Sequence, residues 1–471
     1  MSFGLRSSAD GWRGRIGASF TPDAVAALTA CVVETLAPRT VLITHDGRTG
    51  GIEATAAAVA SCRTAGVERL RVVTHLPTPV ATRAVTRGEC DVALLVTASH
   101  NPPADNGLKV KVHPGGPPEL ALEHRINELY ATRPVPADPG TWPAVAAERP
   151  DRYVAEHIAF ARPEGPLRPL RVVVDGLGGI AGEPVARLAE AFGWRVHRIG
   201  CVPDAAFGGL RPDPALPASR RRAAAAVTET GADLGIVLDG DGDRVFLVDD
   251  RGETVAPHDL LALLIEYRHR TRRLGPGLGF GVTVSTGTAV RSVASELGRA
   301  VLERPIGFKH LAPLLAGGRV DAAGGSVGDL AFTEYSVDRD PFTALGLVAQ
   351  MLSEPGTGLR GRLAALHRRL GPLRWFEAKV PGTGDEDELA MAGRDALAGL
   401  GLSAAISAMS TVDGVKFWLD HGQWLLLRPS TTESGVRLYG ELLGTTPPDG
   451  RADRVVDLVH RRISPRWKEI S

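Results

Sequence analysis

Three short stretches of this chain carry residues whose types and spacing suit chemistry on an oxyanion. The first is Asp239-Gly240-Asp241-Gly242-Asp243, followed by Arg244. Alternation with glycine lets three carboxylates turn toward one point, and hard oxygen ligands favour Mg2+ or Ca2+ over zinc. A structural Ca2+ loop is the competing reading, because D-x-D-G-D also opens an EF-hand. Against it, the twelfth loop position is Asp250 where an EF-hand has a bidentate Glu, and the flanks read as strand.

The second stretch is TASHNPPADNGLKV (97–110). Ser99 follows a strand pattern and sits beside His100 and Asn101, and Lys109 comes after a turn set by Pro102, Pro103 and Gly107. A serine on a polar loop is ordinarily an inert surface group. Neither G-x-S-x-G nor Ser-x-x-Lys is present, so acyl transfer has little support. A serine that stores a phosphoryl group instead needs a cation to neutralise charge during transfer, and the aspartate loop could supply one. The third stretch is Arg428-Pro429-Ser430-Thr431-Thr432-Glu433, with Arg437 beyond it. A guanidinium, hydroxyls and loop amides suit a phosphate dianion; the alternative is an ordinary polar turn between strands.

The elements that would position these groups alternate strand and helix. VLITHDGR (41–48), LRVVTHLPTP (70–79) and DVALLVTASHNPP (91–103) each read as a strand ending in a polar loop, with an Ala-rich helix at about 53–65. The βαβ rhythm implies a parallel sheet covered on both faces. Proline thickens at 132–151, after which LRVVVDGLGG (170–179) and ADLGIVLDGDGDR (232–244) restart the rhythm. A third block begins near 256 with LGFGVTVSTGTAV (278–290), and residues 415–443 read as antiparallel strands with a closing helix at about 450–463. The expectation is α/β: three similar domains over 1–150, 151–255 and 256–370, then a smaller α+β domain over 371–471. Ligands in such sheets gather beyond the carboxyl ends of strands.

Composition narrows the partners. Lys+Arg and Asp+Glu are 54 each and aromatics are 5%, which disfavours nucleic acid and anionic membranes and suits a small polar metabolite. The opening MSFGLRSSADGWRG has no apolar signal core. Cys31, Cys62, Cys90 and Cys201 are scattered, which suggests free thiols and a cytoplasmic enzyme.

Taken in order, the three stretches resemble the α-D-phosphohexomutases, the family of phosphoglucomutase, phosphomannomutase and phosphoglucosamine mutase. TASHNPPADNGLKV resembles the family's phosphoserine loop, DGDGDR its metal loop, and RPSTTES its C-terminal phosphate loop, usually R-P-S-G-T-E-P. ADGWRGRIGASFTPDAV (9–25), THDGR (44–48) and LPTP (76–79) are similar to further family segments. The resemblance implies four domains in a heart shape around a central cleft. It implies that Ser99 is the phosphoserine, which with Asp239, Asp241 and Asp243 holds Mg2+. It further implies a sugar-phosphate substrate, a bisphosphosugar intermediate and activator, and a monomer or homodimer. By the same likeness His100 and Lys109 serve acid–base work and phosphate contact, and Arg13 and Arg244 lie near the phosphoserine. Arg428, Ser430, Thr431, Thr432 and Arg437 would hold the non-transferring phosphate, and Lys309 and His310, in GFKH (307–310), are candidate sugar or phosphate contacts.

One family motif is altered. The usual G-E-x-S-G sugar loop reads Gly324-Gly325-Ser326-Val327-Gly328-Asp329. Val327 cannot bond a hydroxyl, and a buried hydroxyl without a partner costs about 1–3 kcal/mol. The expectation is an active mutase with altered sugar specificity. The alternatives are compensation by Ser326, Asp329 or Glu334, a non-catalytic or regulatory sugar-phosphate-binding homologue, and a metal-dependent phosphatase. Thr431 and Ser434 also replace the family's glycine and proline.

Overall fold

Segments that are apolar on both faces must be covered on both faces, and TVLITH and VALLV form the centre of the first sheet. In a computed structural model, which describes residues 4–133, 141–271, 274–275, 278–371, 373–430, 435–444 and 450–463, Thr40–His45 and Val92–Val96 are buried throughout. They pair in parallel with each other, and Thr40–His45 pairs likewise with Arg69–Thr74. Asp105–Val112 runs antiparallel beside Val92–Val96, followed outward by Trp12–Arg15 and Arg6–Ser7. Helix Pro22–Leu36 begins on a Thr21 cap, whose hydroxyl accepts the Ala24 amide at 3.1 Å, with Pro22 at its first position. It packs on Gly51–Thr64, where Ala54, Ala57 and Ala58 are fully buried; such small side chains let two helix backbones come close.

The second sheet has Arg171–Asp175 between Arg195–Ile199 and Leu234–Leu238, all parallel, with Val245–Val248 returning antiparallel. In the third, Gly279–Thr283 pairs in parallel with Val301–Arg304, and Val320–Gly324 pairs antiparallel with Leu330–Phe332. The fourth is wholly antiparallel, in the order Leu373–Val380, Val436–Leu443, Trp424–Pro429, Val415–Leu419, Ile406–Ser410. Helices Glu386–Gly399 and Arg451–Ile463 supply Leu389, Leu397, Val455 and Val459 to its core. Four sheet-based domains, three of the α/β kind and one α+β, match the expected class.

By contact density the chain forms two units, Met1–Pro257 with Gly307–Leu359, and His258–Ile306 with Arg360–Ser471. In the second unit the buried Lys416 ammonium donates to the Val284 carbonyl at 2.6 Å and pairs with Glu303 at 2.8 Å. It also lies 3.9 Å from the centre of the Trp418 ring. Burial pushes its pKa down to about 8 despite the glutamate. Among the described residues, no helix is long and apolar enough to cross a membrane.

The structure differs from the sequence reading in one respect that bears on the site. Lys109 lies mid-strand in Asp105–Val112, opposite Leu95; the turn ahead of it closes where the Asp105 amide donates to the Pro102 carbonyl at 3.0 Å, so Gly107 belongs to the strand and not to the turn. The period of two sets the face: Leu108 and Val110 enter the apolar core, so Lys109 and Lys111 share the other face. Gly107 lets this strand meet its neighbour, because a Cβ there would lie 2.1 Å from the Trp12 carbonyl oxygen. Gly107→Ala should therefore destabilise the first unit by about 1–3 kcal/mol, read as a lower denaturation midpoint. Gly358→Ala, which meets open space, should change it by less than about 0.5 kcal/mol.

Candidate active site

The serine loop is built from underneath by the THDGR turn. Arg48 is buried and pairs with Asp46 at 3.0 Å. Its guanidinium donates to the carbonyls of Ser99 (2.6 Å), Pro102 (2.8 Å), Asn101 (2.9 Å) and Asp105 (3.0 Å). Thr97 donates its hydroxyl to Asp46 at 2.6 Å and accepts the Ser99 amide at 2.8 Å. Held this way, Ser99 adopts φ +52°, a left-handed conformation that costs a non-glycine residue energy and persists only where the surroundings impose it.

The aspartate loop closes over it. Asp239 Oδ1 accepts the amides of Asp243 (3.0 Å) and Arg244 (3.1 Å), while Oδ2 accepts the Ser99 hydroxyl at 2.7 Å. Gly240 permits this approach, since a Cβ there would lie 2.6 Å from the Ser99 carbonyl oxygen. Thr78 donates to Asp241 Oδ2 at 2.6 Å. Ligand oxygens of Asp239, Asp241 and Asp243 lie within 4.8 Å of one another, and all three residues are buried. Asp241 Oδ1 and Asp243 Oδ1 are buried with no hydrogen-bond partner, which is costly unless a cation takes them. The donor set is all oxygen and fits a hard divalent ion.

Around this triad lies a buried charge network. Lys109 Nζ pairs with Asp243 at 2.5 Å, Asp241 at 2.7 Å and Asp10 at 3.0 Å. Lys111 pairs with Asp338 at 2.6 Å and Asp10 at 3.2 Å, and Arg339 pairs with Asp243 at 2.9 Å, Asp338 at 3.3 Å and Asp10. Burial together with the Asp243 and Asp241 charges drives the Asp239 carboxyl well above its usual range. Burial would do the same to Asp241, but Lys109, Thr78 and Arg13 outweigh it and hold that carboxyl low. Burial disfavours the Lys109 charge, yet Asp10, Asp241 and Asp243 overcome it and raise its pKa. His100 Nδ1 lies 3.4 Å from Ser99 Oγ; burial, with Arg244, Arg211 and Arg13 nearby, keeps the imidazole neutral. Arg13 lies across the strand pair from Gly107, and Arg244 Nε is buried without a partner.

The altered third-domain loop is joined to the metal loop, with the Val245 amide donating to the Gly328 carbonyl at 3.0 Å. Ser326 and Asp329 are buried, Val327 is half-buried and Glu334 exposed. Asp329 accepts the Gly325 amide at 3.1 Å, and burial raises its pKa against the pull of Arg244 and Arg339. Lys309 Nζ is engaged by Glu123 at 3.0 Å and by the Ser8 carbonyl at 3.1 Å. His310 ends the short helical turn Phe308–His310.

In the second unit, Arg428 and Arg437 are cross-strand partners, and Lys379 lies opposite Arg437 on its other side. Directly opposed residues share a face, so three cations form a row. Arg428 pairs with Asp413 at 2.7 Å and Arg437 with Glu377 at 3.0 Å. The Ser430 amide donates to the Gly435 carbonyl at 2.9 Å. Thr431 and Thr432 lie outside the described residues.

Asp10, Lys111, Asp338, Arg339 and Lys379 join the site without standing among the candidate residues of the sequence. The alternation in LKVKV was the available signal for Lys111. Asp10 lies within the family-like opening segment ADGWRGRIGASFTPDAV, and nothing local marks Asp338, Arg339 or Lys379.

Comparison with known proteins agrees over the whole length. Models of phosphoglucomutase/phosphomannomutase alpha/beta/alpha domains I, II and III match residues 5–134, 151–252 and 256–369. A phosphoglucosamine mutase of Kineococcus radiotolerans is 30% identical, covering 97% of this chain and 98% of its own. A phosphopentomutase of Thermococcus kodakarensis is 26% identical, covering 98% of each. A putative phosphomannomutase structure from Thermus thermophilus shares the fold, with a TM-score of 0.78 at 22% identity over 100% of both chains. Three successive domain models and an identity sustained from end to end place this chain in the phosphoglucomutase/phosphomannomutase family, the phosphosugar-isomerising α-D-phosphohexomutases.

Proposed function

We propose that this protein moves a phosphoryl group between two hydroxyls of a sugar phosphate through Ser99. The observation that carries the reading is the Ser99 hydroxyl held 2.7 Å from Asp239, beside two buried carboxylate oxygens without partners. Asp239, Asp241 and Asp243 would hold Mg2+, which when bound neutralises charge on the transferring phosphoryl group. The phosphorylated serine is the resting donor, loaded by a bisphosphosugar activator. As the bond from phosphorus to Ser99 Oγ breaks, a bond to the sugar hydroxyl forms, giving a bisphosphosugar. The hydroxyl proton passes to a neighbouring base, and His100, 3.4 Å from Ser99 Oγ, is placed to exchange it. Lys109 supplies fixed positive charge beside the metal loop, and Arg13 and Arg244 contact the phosphoryl oxygens. Return transfer from the other position regenerates the phosphoserine.

The cationic row of Arg428, Arg437 and Lys379, with the loop of Ser430, Thr431 and Thr432, suits the phosphate that is not transferred. Sugar specificity differs from that of a glucose or mannose phosphate mutase, because Gly325 and Val327 replace the loop's glutamate and serine. Amino, deoxy or pentose phosphates make fewer demands on those positions; Ser326 and Asp329 are polar groups of that loop, and Lys309 and His310 in GFKH (307–310) are further candidate contacts.

Ser99→Ala should lose at least about 1,000-fold in turnover, as expected when a covalent route is removed, and the mass increment of one phosphoryl group should vanish from the purified protein. Release of inorganic phosphate without isomer would instead indicate a phosphatase. Arg428→Met should raise KM for sugar phosphate about tenfold or more, the loss of about 1.4 kcal/mol or more in phosphate binding, with a smaller effect on kcat. In a phosphorus NMR panel of sugar 1-, 5- and 6-phosphates with Mg2+, glucose 1-phosphate should turn over at least about tenfold more slowly than the best substrate, the cost of one unpaired hydroxyl. Equal rates would refute the altered specificity.

A further inference from the structure

Asp243 is oriented by two cations from different parts of the chain. Its Oδ2 receives Lys109 at 2.5 Å and Arg339 at 2.9 Å, while its Oδ1 is buried and without a partner. Lys109 comes from the first sheet, as a strand residue must. Arg339 comes from the residue just ahead of the cap of helix Pro341–Ser353. That position is fixed firmly: Asp340 accepts the amides of Phe342 (3.0 Å) and Thr343 (3.3 Å), and its own amide donates to the Leu330 carbonyl at 3.0 Å. The guanidinium is then held through two of its nitrogens and one face. Nε meets Asp338 at 3.3 Å, Nη2 reaches both Asp10 and Asp243, and the Phe308 ring centre lies 5.4 Å from Cζ. Arg339 is only 4% exposed, so it is not an arm reaching for substrate.

We propose that Arg339 is a positioning residue of the metal site: by fixing Asp243 through Oδ2, it presents Oδ1 to the divalent cation and makes the third-domain helix start part of the metal loop's support. This rests on the reading that Asp239, Asp241 and Asp243 hold a divalent ion. A guanidinium can bridge three carboxylates at fixed angles, whereas an ammonium is a single point charge, so the role depends on shape as well as charge.

Charge and positioning predict opposite signs. If Arg339 merely contributed positive charge near the ion, removing it would make the site more attractive to a cation. If it positions Asp243, removing it weakens binding. The test is Mn2+ binding to the purified full-length protein, followed by electron paramagnetic resonance with Mg2+ competition. Arg339→Met should raise the Mn2+ dissociation constant about 10–100-fold, the usual cost of losing a group that orients a metal ligand. An unchanged or lower constant overturns the proposal. Should Arg339→Met fail to fold by circular dichroism, Arg339→Lys, which keeps the charge, decides: weaker Mn2+ binding than wild type supports positioning, and equal binding overturns it. Asp241→Asn separates the underlying reading. If wild type binds Mn2+ no better than this variant, the aspartate triad is not the metal site, which is a different failure from a normal wild-type site indifferent to residue 339.

Discussion

The first unit depends on the burial of Lys109 among Asp10, Asp241 and Asp243. Taking a single ammonium out of water is prohibitive, and so is crowding three carboxylates together. Each makes the other tolerable. The strand that carries Lys109 must therefore sit where the loop after Leu234–Leu238 can reach it, and the N-terminal Asp10 must return to the same point. Lys111 and Arg339 extend the arrangement to Asp338, so that three cations, Lys109, Lys111 and Arg339, face four carboxylates, Asp10, Asp241, Asp243 and Asp338. Such a network is weak evidence for stability, yet taking away one partner of a buried pair costs more than the pair contributes, because it leaves charge buried with less compensation.

Rigid backbone contacts then set the fine geometry. Arg48 gathers four carbonyls of the serine loop, and Gly240 lets the aspartate loop lie against the Ser99 carbonyl. The loop after Val320–Gly324 is tied to the start of Val245–Val248 through the Val245 amide. The groups proposed for transfer thus stand on sheet ends and short braced turns, which hold reacting atoms in place more accurately than long loops do.

Much of this was legible in the sequence. Ser99 and the three aspartates were visible because their spacing is local: a glycine-alternating acidic run and a serine between a strand and two prolines signal themselves within a few residues. The central strands were equally plain from their apolar runs. Lys109 does follow the Pro102–Pro103 turn, but Gly107, expected in that turn, lies in the strand, and the alternation of LKVKV sets which face Lys109 occupies. Asp10 lies in the family-like opening segment ADGWRG, but nothing in the sequence pairs it with Arg339, which lies in no such segment; they are 329 positions apart, and only folding brings them together. Lys309 shows the converse, a conspicuous side chain in a loop that resembles the family's, whose ammonium in the structure is engaged by Glu123.

Asp239 has a consequence for how the two halves of the cycle are told apart. Both of its oxygens are engaged, one by the amides of Asp243 and Arg244 and the other by the hydroxyl hydrogen of Ser99. A phosphate ester of serine has no such hydrogen to give. Esterification would release that oxygen and add anionic oxygens beside it, so cation affinity and the chemical state of residue 99 would form an interlock, each reporting on the other.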